Sequence, residues 1–141
     1  MSFDVFAQRM VDGELAVADS AVLHELLASH VVATEPASDY ARLQLDDGTA
    51  DLYGIGDLGS GFMVNHVTGR AAWDLLATLA VRGDLTLMAP DTPPMIVSEA
   101  TRAHLPDGLG DEAVVVTSGS DILRVFAEAK AEATGAPAPR A

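Results

Sequence analysis

The chain contains no cysteine in its 141 residues, which excludes disulfides, thiolate nucleophiles and cysteine-ligated zinc. Basic residues are scarce, 8 Lys and Arg against 21 Asp and Glu, so the formal net charge is -13 and the pI is near 4.3. A chain this acidic repels phosphate and anionic lipid, which argues against nucleic acid and membrane surfaces as partners. It is steered instead towards a basic protein, although acidity also serves plain solubility. Lysine and asparagine are few beside Ala, Asp, Gly and Arg, a bias that a GC-rich coding sequence produces without any function. Long apolar runs are missing too: none approaches the ~20 residues that span a bilayer. The opening MSFDVFAQRM has no basic segment followed by an apolar block, so no signal peptide and a cytoplasmic location are expected.

What remains is an ordinary folding composition, 49% hydrophobic and 21% charged. The length suits one domain, expected over residues 1–133, with a disordered Pro/Ala-rich tail over 134–141 (TGAPAPRA). Residues 2–7 are strand-like, and Asp12-Gly13 signals a turn without a clear second strand behind it. Asp19 is a fitting N-cap for a helix over 20–29, whose Val22, Leu23, Leu26 and Leu27 share one stripe. Residues 34–39 are polar, contain Pro36 and read as a loop. The alternation in 40–45 and the run 50–55 predict two strands joined at Asp46-Asp47-Gly48-Thr49, a hairpin signal. Four glycines in 54–61 lead into a third strand near Phe62–Val64, expected to pair with the second.

Thr68 is then a plausible cap for a helix over 69–81, with Trp73, Leu76 and Ala80 on its buried stripe and Gly83 as its stop. A strand over 85–88 follows, and prolines 90, 93 and 94 stiffen the connection to a short strand over 95–97 and one helical turn over 98–103. Residues 113–117 (AVVVT) are β-branched without alternation, which predicts a central strand buried on both faces. The last helix is expected over 121–133. These elements in mixed order predict an α+β fold: a mostly antiparallel sheet of four to five strands with about three helices packed on one face.

No pattern of residues carries recognised chemistry. The GIGDLGSG loop precedes a strand, whereas a dinucleotide fingerprint lies between strand and helix, and no Lys-Ser or Lys-Thr follows it. Leu58 occupies the first glycine position of a nucleophile elbow around Ser60. A structural turn is the favoured reading. Histidines 24, 30, 66 and 104 have no i,i+4 pair, and Asp46-Asp47-Gly48-Thr49-Ala50-Asp51 lacks calcium-loop spacing, so no metal and no cofactor are expected.

Two regions stand out for function. The stretch 35–57 holds Glu35, Asp39, Asp46, Asp47, Asp51 and Asp57 against Arg42 alone, with Tyr40 and Tyr53 interleaved. Tyrosine supplies buried area and carboxylates supply steering, so Glu35, Asp39, Tyr40, Asp46, Asp47, Asp51 and Tyr53 are the candidate contacts to a basic protein. The expected function is a non-enzymatic immunity, inhibitor or regulatory protein that masks such a partner. The alternative is a small-ligand site or minor enzyme at the strand-to-helix junction, with Asn65, His66 and Arg70 as ligand-binding residues and His66, Asp57 and Arg70 as its acid–base set. A third reading makes the apolar 84–97 region an assembly surface, and the sequence does not set an oligomeric state.

Overall fold

The computed structural model describes residues 3–133. The tail expected over 134–141 lies outside them. Among the described residues there are nine strands and four α-helices, in the order β1 (Val5–Val11), β2 (Glu14–Ala16), α1 (Ser20–Leu27), β3 (Val31–Glu35), β4 (Tyr40–Leu45), β5 (Gly48–Tyr53), β6 (Phe62–Asn65), α2 (Ala71–Gly83), β7 (Thr86–Met88), β8 (Met95–Ile96), α3 (Glu99–Arg102), β9 (Val114–Val115) and α4 (Gly119–Ala133). Short 3-10 turns occupy Pro36–Ser38, Ile55–Ser60 and Gly110–Glu112. The fold is α+β, but the sheet is larger than the expected four to five strands.

The strands form one sheet in the order β3-β4-β5-β6-β1-β7-β8-β9, with β2 hairpinned onto β1. All neighbours are antiparallel except β8 and β9, which run parallel. Three differences from expectation share a cause. Strand β3 replaces part of the presumed 34–39 loop, β2 completes a hairpin after Asp12-Gly13, and β9 is an edge strand with Val114 39% exposed rather than a central one. Each is a short or edge element whose pairing supplies what its local sequence pattern does not.

The period-two pattern decides the layers. Val5, Ala7, Ala41, Leu43, Leu45, Ala50, Leu52, Phe62 and Val64 are buried on one face. All but Ala41 belong to one cluster with Leu23 and Leu27 of α1, Trp73, Leu76 and Leu79 of α2, and Ile122 and Phe126 of α4. Trp73 and Phe126 meet with ring centroids 5.4 Å apart. Burying one such leucine fully is worth about 1.5–3 kcal/mol, so this face supplies the fold's main stabilisation. A second cluster, Met10, Ile96, Leu105 and Ala113 with partly buried Met88, Leu109 and Val115, lies on the opposite face, its Leu105, Leu109 and Ala113 supplied by the chain that follows α3. The register shows the side change: Met88 stands beside Phe6, while Leu87 stands beside the buried Ala7. Leu85, Leu87, Met95 and Ile96 are all wholly buried, while Asp84, Pro90 and Asp91 of the 84–97 segment are exposed.

Two local devices tie the elements together. The hairpin tip caps α2, since the Asp47 carboxylate accepts from the N–H groups of Arg70 at 2.8 Å and Ala71 at 3.1 Å. Thr68, the expected cap, instead accepts from the Thr49 N–H at 2.8 Å. Gly48 lets the tip approach this closely, because a β-carbon there would collide with the Thr68 carbonyl. The glycine loop is a plug: Leu58 is fully buried, the Gly59 N–H donates to Ser20 Oγ at 2.8 Å, and Ala18 donates to the Gly59 carbonyl at 2.9 Å. No helix among the described residues is long and apolar enough to cross a membrane.

Candidate functional site

The helices cover one face of β1, β4, β5 and β6, and the alternate side chains of these strands form the other face. Registered pairs place Glu35 beside Tyr40, Tyr40 beside Tyr53, Tyr53 beside Met63, and Met63 beside Phe6. One row thus crosses five strands. Tyr40 and Tyr53 stand with ring centroids 5.3 Å apart, and Phe6 is 49% exposed. The next row is polar: Arg42 lies beside Asp51, and Asp51 beside Asn65. Asn65 Nδ2 donates to Asp4 Oδ1 at 3.1 Å, while Asn65 Oδ1 is buried without a partner.

At the other end of the aromatic row stand Asp39, in the turn before β4, and Asp57, in the 3-10 turn after β5. Both are exposed, as are Asp4 and Glu35. The row therefore ends at Glu35 on β3 and runs between two acidic borders, Asp39 and Asp57 on one side, Asp51 and Asp4 on the other. Phe6, Met63 and Asp4 were not singled out from sequence. Their signal was the alternation of β1 and β6, but their neighbours become visible only once the strand register is known.

Several of the expected contacts have structural duties. Asp39 adopts a left-handed conformation (φ 54°) and organises the 3-10 turn, its Oδ1 accepting from Gly56 at 2.7 Å and its carbonyl from Gly54 at 2.8 Å. Asp47 caps α2, and the two N–H bonds from Arg70 and Ala71 hold its carboxyl below the usual carboxylate range. Asp46 is exposed at the hairpin tip, away from the aromatic row.

Asp51 is the most engaged carboxylate of the face. Tyr40 donates its hydroxyl to Asp51 Oδ1 at 2.5 Å, and His66 Nδ1 lies 2.9 Å from Asp51 Oδ2. Burial pushes the Asp51 carboxyl up, but the hydrogen bonds from Tyr40 and His66, with the charges of His66 and Arg42, outweigh it and leave it below its ordinary value. The same bond to Asp51 raises the Tyr40 hydroxyl, which is harder to ionise beside a carboxylate. His66 reaches Asp51 because it follows β6 in a left-handed conformation (φ 50°) that turns its ring back over the sheet. A carboxylate on Nδ1 orients an imidazole for proton transfer through its other nitrogen.

The remaining members of the acid–base set are engaged elsewhere. Asp57 accepts from Ser60 Oγ at 2.7 Å, and the Arg70 guanidinium donates to Ser120 Oγ on α4 at 3.4 Å. Among the described residues no group of three or more His, Cys, Asp and Glu could hold a metal ion.

A shallow groove of about 270 Å³ opens beside the aromatic row, bounded by Phe6, Gln8, Tyr53, Ser60, Gly61 and Met63. A separate apolar cleft of about 290 Å³ lies between Phe3, Pro90 and Phe126, with Ala133, the last described residue, on its wall. Comparison of the chain with protein-family models, with curated proteins and with solved structures gave no match.

Proposed function

We propose that this chain is a small protein-binding module of inhibitor, immunity or regulatory type, acting in the cytoplasm on a basic partner that docks on the open sheet face. The carrying observation is the row of half-buried Tyr40, Tyr53 and Met63 with exposed Phe6, set between two acidic borders. Aromatic and methionine side chains on a rigid sheet give buried contact area at low entropic cost, and a carboxylate rim gives steering and orientation. The net charge of -13 extends that steering over the whole molecule. Compared with the sequence-based contacts, the proposed interface gains Phe6, Met63, Asp4 and Asp57 and loses Asp46 and Asp47.

The test separates this face from bulk acidity. The partner is captured from host extract with the unaltered chain, with Phe6→Ser, with Glu35→Lys plus Asp57→Lys, and with Glu128→Lys on exposed α4. One basic protein should be retained by the unaltered chain and by Glu128→Lys, and lost by the other two. Losses that follow net charge wherever the substitution lies would sink the reading. A catalytic or small-ligand reading has one observation in its favour, the Asp51–His66 pair at 2.9 Å, and would require His66→Ala to abolish binding of a small molecule without lowering stability.

A further inference from the structure

We infer that the groove beside the aromatic row receives a single arginine side chain of the partner. This deepens the protein-binding reading and rests on it. The groove volume, about 270 Å³, falls just below the range of about 300–1,000 Å³ typical of drug-sized ligand sites. It suits one long side chain better than a cofactor.

Three features select arginine. Phe6 and Tyr53 flank Met63 in adjacent strands, so an apolar floor lies between two aromatic rings. A planar guanidinium is attracted to aromatic faces, and its stem covers the methionine. The second feature is a pair of acceptors on the groove wall. Gln8 Nε2 is committed to the Ala16 carbonyl at 3.2 Å, and Gln8 Oε1 sits over Gly61. Ser60 Oγ, also on the groove wall, donates to Asp57 Oδ2 at 2.7 Å, which brings a carboxylate one hydrogen bond from the groove. A forked cation with several in-plane donors matches two separated acceptors better than a point-charged ammonium does.

The third feature fixes the Gln8 acceptor against the backbone. Gly61 has φ 111°, and a β-carbon there would run into Gln8 Oε1 and come within 3.2 Å of the Ala7 carbonyl. Only glycine at this position lets the Gln8 side chain lie so close to the main chain of the groove wall. No Lys, Arg or His lines the groove to oppose a cation.

The probe is N-acetyl-arginine methylamide, titrated into the full-length chain at constant ionic strength and followed by side-chain NMR signals. The lysine and citrulline analogues are titrated in parallel. Citrulline keeps the shape of arginine and lacks its charge. The arginine probe should shift Phe6, Tyr53 and Met63 saturably, with citrulline about tenfold weaker and lysine weaker than arginine. Asp57→Asn and Gln8→Leu should each weaken the arginine probe severalfold while Tyr40 signals stay in place, which confirms that the variants are folded. Equal binding of citrulline, tighter binding of lysine, or shifts spread over distant carboxylates such as Asp46 and Glu128 would each overturn the inference. Failure here is distinct from failure of the parent reading. Partner capture that depends on Phe6 and Glu35 while the arginine probe does not bind removes only the groove; saturable arginine binding without partner capture removes only the module.

Discussion

Asp51 carries two hydrogen-bond partners on one carboxylate, Tyr40 at 2.5 Å and His66 at 2.9 Å, with its side chain 20% exposed. Its folded pKa is depressed below the ordinary carboxylate value of about 4. A group depressed in this way adds stability above its unfolded pKa and loses it as pH falls through the folded value. Asp51→Asn should therefore narrow the gap in urea midpoint between about pH 6 and about pH 2, the window in which the carboxylate protonates. An unchanged gap would show that Asp51 does not contribute through its charge. Tyr40, Asp51 and His66 could each be named from the sequence, as parts of an acidic run and of a junction. Their union could not, because it depends on a cross-strand register and on a left-handed turn at a histidine, a conformation no residue type there announces.

Among the elements, those with a strong internal period were legible: the alternation of β4, the Asp19-capped α1 and the Trp73 stripe of α2. Asp19 does accept from the N–H groups of Ala21 at 3.1 Å and Val22 at 3.2 Å. Elements made by their neighbours were not. Strand β2 is three residues long, β3 is exposed over residues 32–35, and β9 is two residues in a run whose apolarity suggested a centre. The α3 region is held by Arg102, which donates to the Gly110 carbonyl at 2.5 Å and the Ala113 carbonyl at 2.8 Å and pairs with Glu99. Its contacts run mainly to chain within about one turn of loop, so they secure a local unit. Arg102→Met should raise amide hydrogen exchange across 98–113 while α2 and β5 keep their protection. Equal loss of protection everywhere would show that this segment belongs to the global cooperative unit.

For the whole molecule, two electrostatic effects oppose each other. A net charge of -13 destabilises the compact state by self-repulsion, and this eases as pH falls from neutral towards the pI near 4.3. Asp47, Asp51, Glu99 and Asp121 all have depressed values, so the stability each contributes persists above the ordinary carboxylate range and drains away below it. Thermal stability should rise from about pH 8 towards about pH 5 and then fall below about pH 4. Added salt should stabilise the protein at the high end of that range, where exposed repulsion is screened. A flat or steadily rising profile on acidification would contradict the assignment of these four carboxylates.

The position of β1 between β6 and β7 has a consequence in time. The strand at residues 5–11 takes its partners from 62–65 on one side and 86–88 on the other. It must wait until residues 62–65 and 86–88 have both been made before its two edges can be closed. Contacts at such separation slow the search for the native topology, because the intervening chain must be ordered first. Until Val64 has been synthesised Val5 and Ala7 lack their β6 partners, and until Met88 the second edge of the strand stays open to aggregation.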